Sequence, residues 1–297
     1  MREGEAASRK RAAAALALLS LIWGYNWLAM KISLSYAEPV DSAATRFALA
    51  ALALLPAVRL QGHALSVPRG EWRYVAFLAI SLAANFVLTL SALQIGGVGR
   101  TAVLVYTMPF WVIVFARIWL KERMAPLQWL AVALAFGGLA VLADVAHLRG
   151  LLANLFAVLA GASWAVSVIV VKSIQGRIRT HMMSLTVWQM GVCALLLWSY
   201  SWTAGTPAIQ WTWQFIAAML FSAVLASALS WMLFYYALAR LPAGIAGLGT
   251  LATPVIGVVT AWIHLGERPS GQDLSGMLLI AVGLALLAVR NRGGARR

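Results

Sequence analysis

Ser81, Asn85 and Thr89 stand four residues apart, so on a helix they form one polar stripe within an otherwise apolar run. Ser227 and Ser230, followed by Phe234, draw a comparable stripe in a later run. Trp23, Asn26, Trp27 and Met30 share a helical face near the start of the chain, and Trp164 with Ser167 repeats the Trp23 to Asn26 spacing. The chemistry these side chains offer is recognition. Amides and hydroxyls can hydrogen-bond a small ligand, and indole or phenol rings can pack against it. Catalysis would need a nucleophile beside a base, or His and Asp gathered at one depth, and no such grouping is visible. His63, His147, His181 and His264 fall in loops or at run ends, and Cys193 is the single cysteine, so neither a metal centre nor a cofactor is expected. A Gly-rich phosphate loop is also missing from the sequence, so no ATPase is built in.

Other residues join these as candidates. Tyr106 lies near the middle of its run, and Trp188 with Gln189 stands near the start of another. Pro109 and Pro254 each sit inside an apolar run, where proline removes a hydrogen bond and clashes with the carbonyl four residues back. They read as hinges or as static kinks, with Thr107 and Thr253 near enough to satisfy freed backbone groups. Glu122 and Glu267 stand at run ends beside Arg123 and Arg268 and read as gate or end-capping groups. Arg46, about two turns into its run, either marks a pathway, snorkels to the surface, or pairs with Asp41 or Glu38. Lys31 and Lys172 read as snorkelling from helix ends. Each buried Ser or Thr has a bland alternative as an interhelical hydrogen bond, and each ring as core or lipid-facing bulk.

The elements that carry these residues follow from composition. Of 297 residues, 62% are hydrophobic and 11% charged, with a mean hydropathy of +0.84. Nine Asp and Glu cannot solubilise such a body, which excludes a free cytosolic globule. The net charge of +14 is dispersed in short clusters between apolar runs, so a nucleic-acid partner is not expected. Crossing a bilayer takes about 20 apolar residues. Ten runs qualify: 12–34, 41–59, 73–93, 98–119, 126–144, 151–172, 182–202, 213–238, 243–263 and 273–290. The first is too long for a signal-peptide core and is read as a retained helix. With both termini cytoplasmic, every Lys and Arg except Lys31, Arg46, Arg100, Arg149 and Arg268 falls on or near the cytoplasmic side. Trp72, Trp129, Trp202, Trp211 and Trp213 sit near span ends as interfacial anchors. The expectation is an all-α polytopic protein of the plasma (inner) membrane of a bacterium, one transmembrane domain over 1–297.

The chain also repeats itself. Trp23 and Lys31 recur as Trp164 and Lys172. Ala92-Leu93, Pro109, Glu122-Arg123 and Gly138 recur, all at one common offset, as Ala237-Leu238, Pro254, Glu267-Arg268 and Gly283. The repeats run 12–144 and 151–290. Five spans per repeat is odd, so the second enters the membrane from the opposite face. Inverted repeats of this kind build a site between two halves and permit alternating access.

Leu21-Ile22-Trp23-Gly24-Tyr25-Asn26-Trp27 resembles the helix 1 "W-G-x-N" of the drug/metabolite transporter superfamily, EamA branch. Thr45-Arg46-Phe47 resembles its "R-F", and Ala92-Leu93, Pro109 and Leu120-Lys121-Glu122-Arg123 resemble its "A-L … P … L-x-E-x" block. The resemblance covers nearly the whole chain. It implies ten helices in an inverted 5+5 arrangement and export of small metabolites, often amino acids; the Trp and Tyr content is similar to the aromatic amino acid exporter subgroup. The residues expected at the substrate are Trp23, Asn26, Ser81, Asn85, Thr89, Tyr106, Trp164, Ser167, Trp188, Ser227 and Ser230, with Pro109, Pro254, Glu122 and Glu267 as hinges or gates. The expected partners are a small-molecule substrate and the lipid bilayer. A channel or facilitator for another neutral or lipid-like metabolite is the alternative, and the sequence leaves the oligomeric state open. Because no Asp or Glu falls at a span centre, the cavity is expected to be uncharged and transport to run without a central carboxylate.

Overall fold

The structure, a computed structural model, describes residues 2–119, 121, 126–142, 148–174, 176–230, 232–233, 236 and 252–294. All regular structure among the described residues is helical. The helices are α1 (Arg2–Ser33), α2 (Pro39–Leu60), α3 (Trp72–Ile95), α4 (Val98–Val105), α5 (Met108–Trp119), α6 (Pro126–Leu142), α7 (Leu148–Ile174), α8 (Met182–Ala204), α9 (Trp213–Leu220), α10 (Ala252–Leu265) and α11 (Gly271–Gly294). Local signals set several ends. Pro39 opens α2, where its missing N–H costs nothing. Thr212 caps α9 by accepting the Phe215 N–H at 3.3 Å, and Gly205 ends α8 in the left-handed region at φ 64°.

By length and apolarity six segments can cross a bilayer: 14–33, 39–60, 69–95, 98–119, 150–174 and 182–204. Shorter apolar helices cover 129–141, 213–229 and 253–265. Residues 237–251, where expected spans 213–238 and 243–263 end and begin, lie outside the described residues, as does Glu122. The outer surface fits lipid: Leu52, Ile80, Leu195 and Leu278 are each at least 60% exposed, a patchwork that water would not tolerate.

Two runs depart from straight α-helix. Span 98–119 is two helices, broken at Tyr106 and Thr107. Pro109 cannot donate to the Val105 carbonyl and collides with it, so the chain tightens there. Thr107 and Phe110 donate to carbonyls three residues back, at Leu104 (3.1 Å) and Thr107 (2.9 Å), and the Thr107 hydroxyl adds a bond to Leu104 O at 2.6 Å. Beyond α9, residues Phe221–Leu229 widen into π-helix. Ser227 and Ser230 each bond the carbonyl five residues back, Ser222 O at 2.9 Å and Leu225 O at 2.8 Å, along this widened stretch.

The most extensive helix pairings all join the first part of the chain to the second: α6 with α11, α2 with α8, α3 with α7, and α1 with α10. The core is therefore an interface between two halves, centred on Phe47, Phe110 and Leu93. Small residues allow the backbones to meet. Gly138 of α6 lies so close to α11 that a Cβ would stand 2.7 Å from Gly276 O, so these helices pack on each other. At Gly161 of α7 a Cβ would stand 2.8 Å from Val105 O and 3.3 Å from the Thr107 hydroxyl, directly over the break.

Gly161→Val should therefore cost about 1–3 kcal/mol by overpacking, read as a lower Tm in detergent. Gly191→Ala on α8, where a Cβ meets nothing within 4 Å, should leave Tm unchanged or raised.

Candidate functional site

A cavity of about 300 Å³ lies between the halves, walled by α1, α2, α3, α7, α8, the α4 break and the π-helical stretch. Six rings enclose it: Trp23, Trp27, Phe47, Phe86, Tyr106 and Trp164. Tyr106, presented at the break, meets the edge of Trp164 at 6.0 Å between centroids and lies 6.4 Å from Trp27. Trp23 donates its indole N–H to Ala226 O at 2.9 Å, which ties α1 to the π-helical turn. Asn26, Asn85, Thr89, Ser167, Thr186, Gln189 and Ser227 supply the neutral polar wall.

The cavity is not uncharged, because Arg46 lines it. Its guanidinium is buried, at 6% exposure, and donates to Asn26 Oδ1 at 3.4 Å and Ser227 Oγ at 3.2 Å. It also lies 4.7 Å over the Phe86 ring, which is itself edge-on to Phe47. Neither snorkelling nor pairing describes it. Asp41 accepts from Ser201 (2.5 Å) and Thr206 (2.8 Å), and Glu38 from Gln94 (3.5 Å), so both carboxylates are engaged elsewhere.

Eight of the eleven residues expected at the substrate line this cavity: Trp23, Asn26, Asn85, Thr89, Tyr106, Trp164, Ser167 and Ser227. Ser81 does not; it lies behind Ser167, accepting its hydroxyl at 2.8 Å and donating to Ser163 O at 3.0 Å. Trp188 faces outward, 37% exposed, with its N–H on Leu65 O at 2.6 Å and its ring against Trp72, while the adjacent Gln189 turns inward. Ser230 is buried off the cavity, and Asn85 finds its partner not there but at Ala160 O, at 2.7 Å. Pro109 follows the break, whereas Pro254 lies in the first turn of α10 with the preceding segment outside the described residues. Arg46 had a signal in the sequence, a cation inside an apolar run; Phe47, Phe86 and Thr186 had none that separates them from ordinary core.

The two ends of the cavity differ. Beyond Met30 and Thr89 polar contacts join the helix ends. Glu267 accepts the backbone N–H groups of Val98 (2.7 Å) and Gly99 (3.3 Å) at the start of α4, a charge-assisted cap instead of an ion pair with Arg268. Lys31 donates to the carbonyls of Leu93 and Gly96 at the end of α3, so it closes a helix end where snorkelling was expected. Arg100 and Asp273 pair at 2.9 Å nearby. Toward the other end the lining continues through Leu78, Val171, Met182 and Leu185, close to the loops that hold Glu71 and His181. There Glu71 accepts the Arg179 and Thr180 N–H groups and the Thr180 hydroxyl at 2.6–3.0 Å, and His63 stacks on His181 at 3.5 Å.

With this geometry the comparisons with known proteins agree. Residues 10–143 and 151–289 each match the EamA-like transporter family. The chain belongs to that family. It is a multi-pass membrane transporter of the plasma (inner) membrane, and the family unit occurs in it twice. A probable amino-acid metabolite efflux pump of Salmonella typhimurium is 30% identical over 93% of this chain and 94% of its own length. A riboflavin transporter of Rhizobium johnstonii is 27% identical over 93% and 88%. One crystal structure superposes at a TM-score of 0.68 with 18% identity, covering 95% of this chain and 98% of that one, a likeness of fold alone.

The end near Glu71 contains a titratable group, His181. Desolvation in the stacked pair, and then the charge of His63, hold the His181 imidazole below its ordinary range. The neutral ring also accepts the Met183 N–H through Nδ1 at 3.3 Å, capping α8. The folded state thus binds this proton less readily than the unfolded chain, so the contribution is present above about pH 6.5 and lost as pH falls below it. Tm should drop from about pH 7.5 to about pH 5.5, and His181→Asn, which caps without titrating, should flatten that drop.

Proposed function

We propose that the transporter exports small metabolites, most often amino acids including aromatic ones, by alternating access through the cavity between its halves. The observation that carries this reading is a ring-walled cavity, built across the interface of the halves, whose lining continues toward the loops that hold Glu71 and His181. In or beside those loops stand Arg59, Arg69, Arg73, Arg177 and Arg179, which by the positive-inside rule puts them in the cytoplasm. That end is then the one at which an exporter would load.

Each part has a task in such a cycle. Trp27, Tyr106 and Trp164 offer faces and edges to an apolar or aromatic body, and Asn26, Asn85 and Gln189 offer amides to its polar end. The break at Tyr106 and Thr107 lets α4 and α5 move as separate rods against α7. The outer seal opens when Glu267 leaves the start of α4, because that bond crosses between the halves. The name of the Salmonella relative favours amino-acid metabolites as cargo.

Counterflow in proteoliposomes tests this reading. Vesicles preloaded with unlabelled phenylalanine should accumulate labelled phenylalanine or tryptophan saturably and without a pH gradient, and should ignore a neutral sugar. Accumulation of no amino acid by folded protein would sink the assignment, and uptake that does not saturate would favour a channel. Trp164→Ala should raise the half-saturating concentration about tenfold, equivalent to ~1.4 kcal/mol of lost ring contact, with Tm retained.

A further inference from the structure

Among the described residues the wall of the cavity contains one full charge and no opposite one. Arg46 is more than nine-tenths buried, its head group meets only neutral oxygens and a ring face, and its Nε has no hydrogen-bond partner. Among the described residues it makes no ion pair, and the cavity lining includes no Asp or Glu. A cation held this way in a membrane interior is kept for a purpose or a partner, and planar guanidinium is built to take a carboxylate through two parallel bonds. An ammonium group on the same ligand would find no acid, only amide and hydroxyl oxygens, and would share the cavity with a like charge.

We infer that Arg46 is the counter-charge for a substrate carboxylate, and that the site prefers aromatic carboxylates carried as net anions over the matching zwitterionic amino acids. This rests on the carrier reading above and narrows its substrate class. One consequence concerns energy. A net anion leaving the cell moves down the inside-negative potential, so one negative charge crosses per turnover and export needs no titrating carboxylate in the membrane.

Three probes with the same ring separate the possibilities in wild-type proteoliposomes: 3-phenylpropionate, phenylalanine and phenethylamine. In counterflow, 3-phenylpropionate should half-saturate at about a tenth or less of the phenylalanine concentration, and phenethylamine should fail to compete. With valinomycin and a tenfold inward potassium gradient, which makes the interior positive, 3-phenylpropionate should accumulate about tenfold, and reversing the gradient should expel it. Arg46→Gln should abolish the preference for the anion, while Arg46→Lys should keep the preference at reduced affinity; Tm measured on both separates loss of recognition from loss of folding. Phenylalanine preferred to 3-phenylpropionate, or accumulation of 3-phenylpropionate indifferent to the potassium gradient, overturns this inference and leaves the carrier reading standing. Counterflow of none of the three overturns both.

Discussion

Hydrocarbon offers no water to an unpaired backbone group, and each one left unsatisfied there costs several kcal/mol. The break at Tyr106 and Thr107 exists inside that constraint. Pro109 removes one donor and pushes the Val105 carbonyl aside, yet the Thr107 hydroxyl and the two three-residue bonds keep the turn paired. Gly161 then allows α7 to lie against the turn, so the irregular backbone is buried in protein and not in lipid. The break also presents Tyr106 to the cavity between Trp27 and Trp164. A continuous helix would be easier to satisfy, but it would neither bend at this level nor set the phenol there.

The same constraint explains how the halves are held. Polar bonds cross between them at cavity depth, from Asn85 to Ala160 O, from Trp23 to Ala226 O and from Arg46 to Ser227, and further polar bonds cross at the ends. Glu267 crosses to α4, while Glu71 crosses to the loop before α8. Both use a carboxylate on backbone N–H groups, bonds that exchange readily for water once the end opens. Charge-assisted caps of this type are strong when dry and cheap to replace when wet, which would suit the closure that the proposed alternating access makes and undoes.

Much of the architecture was legible because lipid imposes simple patterns. Long apolar runs announce helices, and the recurrence of Trp23 as Trp164 brings two rings to one cavity. The face of a helix is harder to read. Trp188 and Gln189 are neighbours, and only packing against Leu65 and Trp72 turns the first outward and the second inward. The π-helical stretch rotates residues off the regular period, so Ser227 reaches the cavity and Ser230 does not. No spacing rule for α-helix could separate those two. Arg46 was visible as a misfit but not as a wall residue, since Asp41 stands nearby in the chain; its preference for Ser201 and Thr206 depends on how α2 meets α8.

That misfit changes what the cavity can be asked to do. An arginine at the middle of a membrane helix costs about 2.5–3.5 kcal/mol on insertion scales, and Asn26, Ser227 and the Phe86 face offset only part of this with neutral dipoles. The loss of any of the three would leave the guanidinium poorer still, which is why they surround it on separate elements, α1, the π-helical turn and α3. Where a buried cation is meant only to stabilise, a carboxylate partner is the more economical arrangement, and Asp41 was available one turn or so away. Its engagement with Ser201 and Thr206 instead leaves the positive potential directed into the cavity, in a low-dielectric space where it acts on whatever enters. Binding an anion there relieves an existing cost as well as making a new contact. On the proposed reading, the empty protein would be electrostatically less satisfied than one holding an anion, and the ring walls would select among anions by shape.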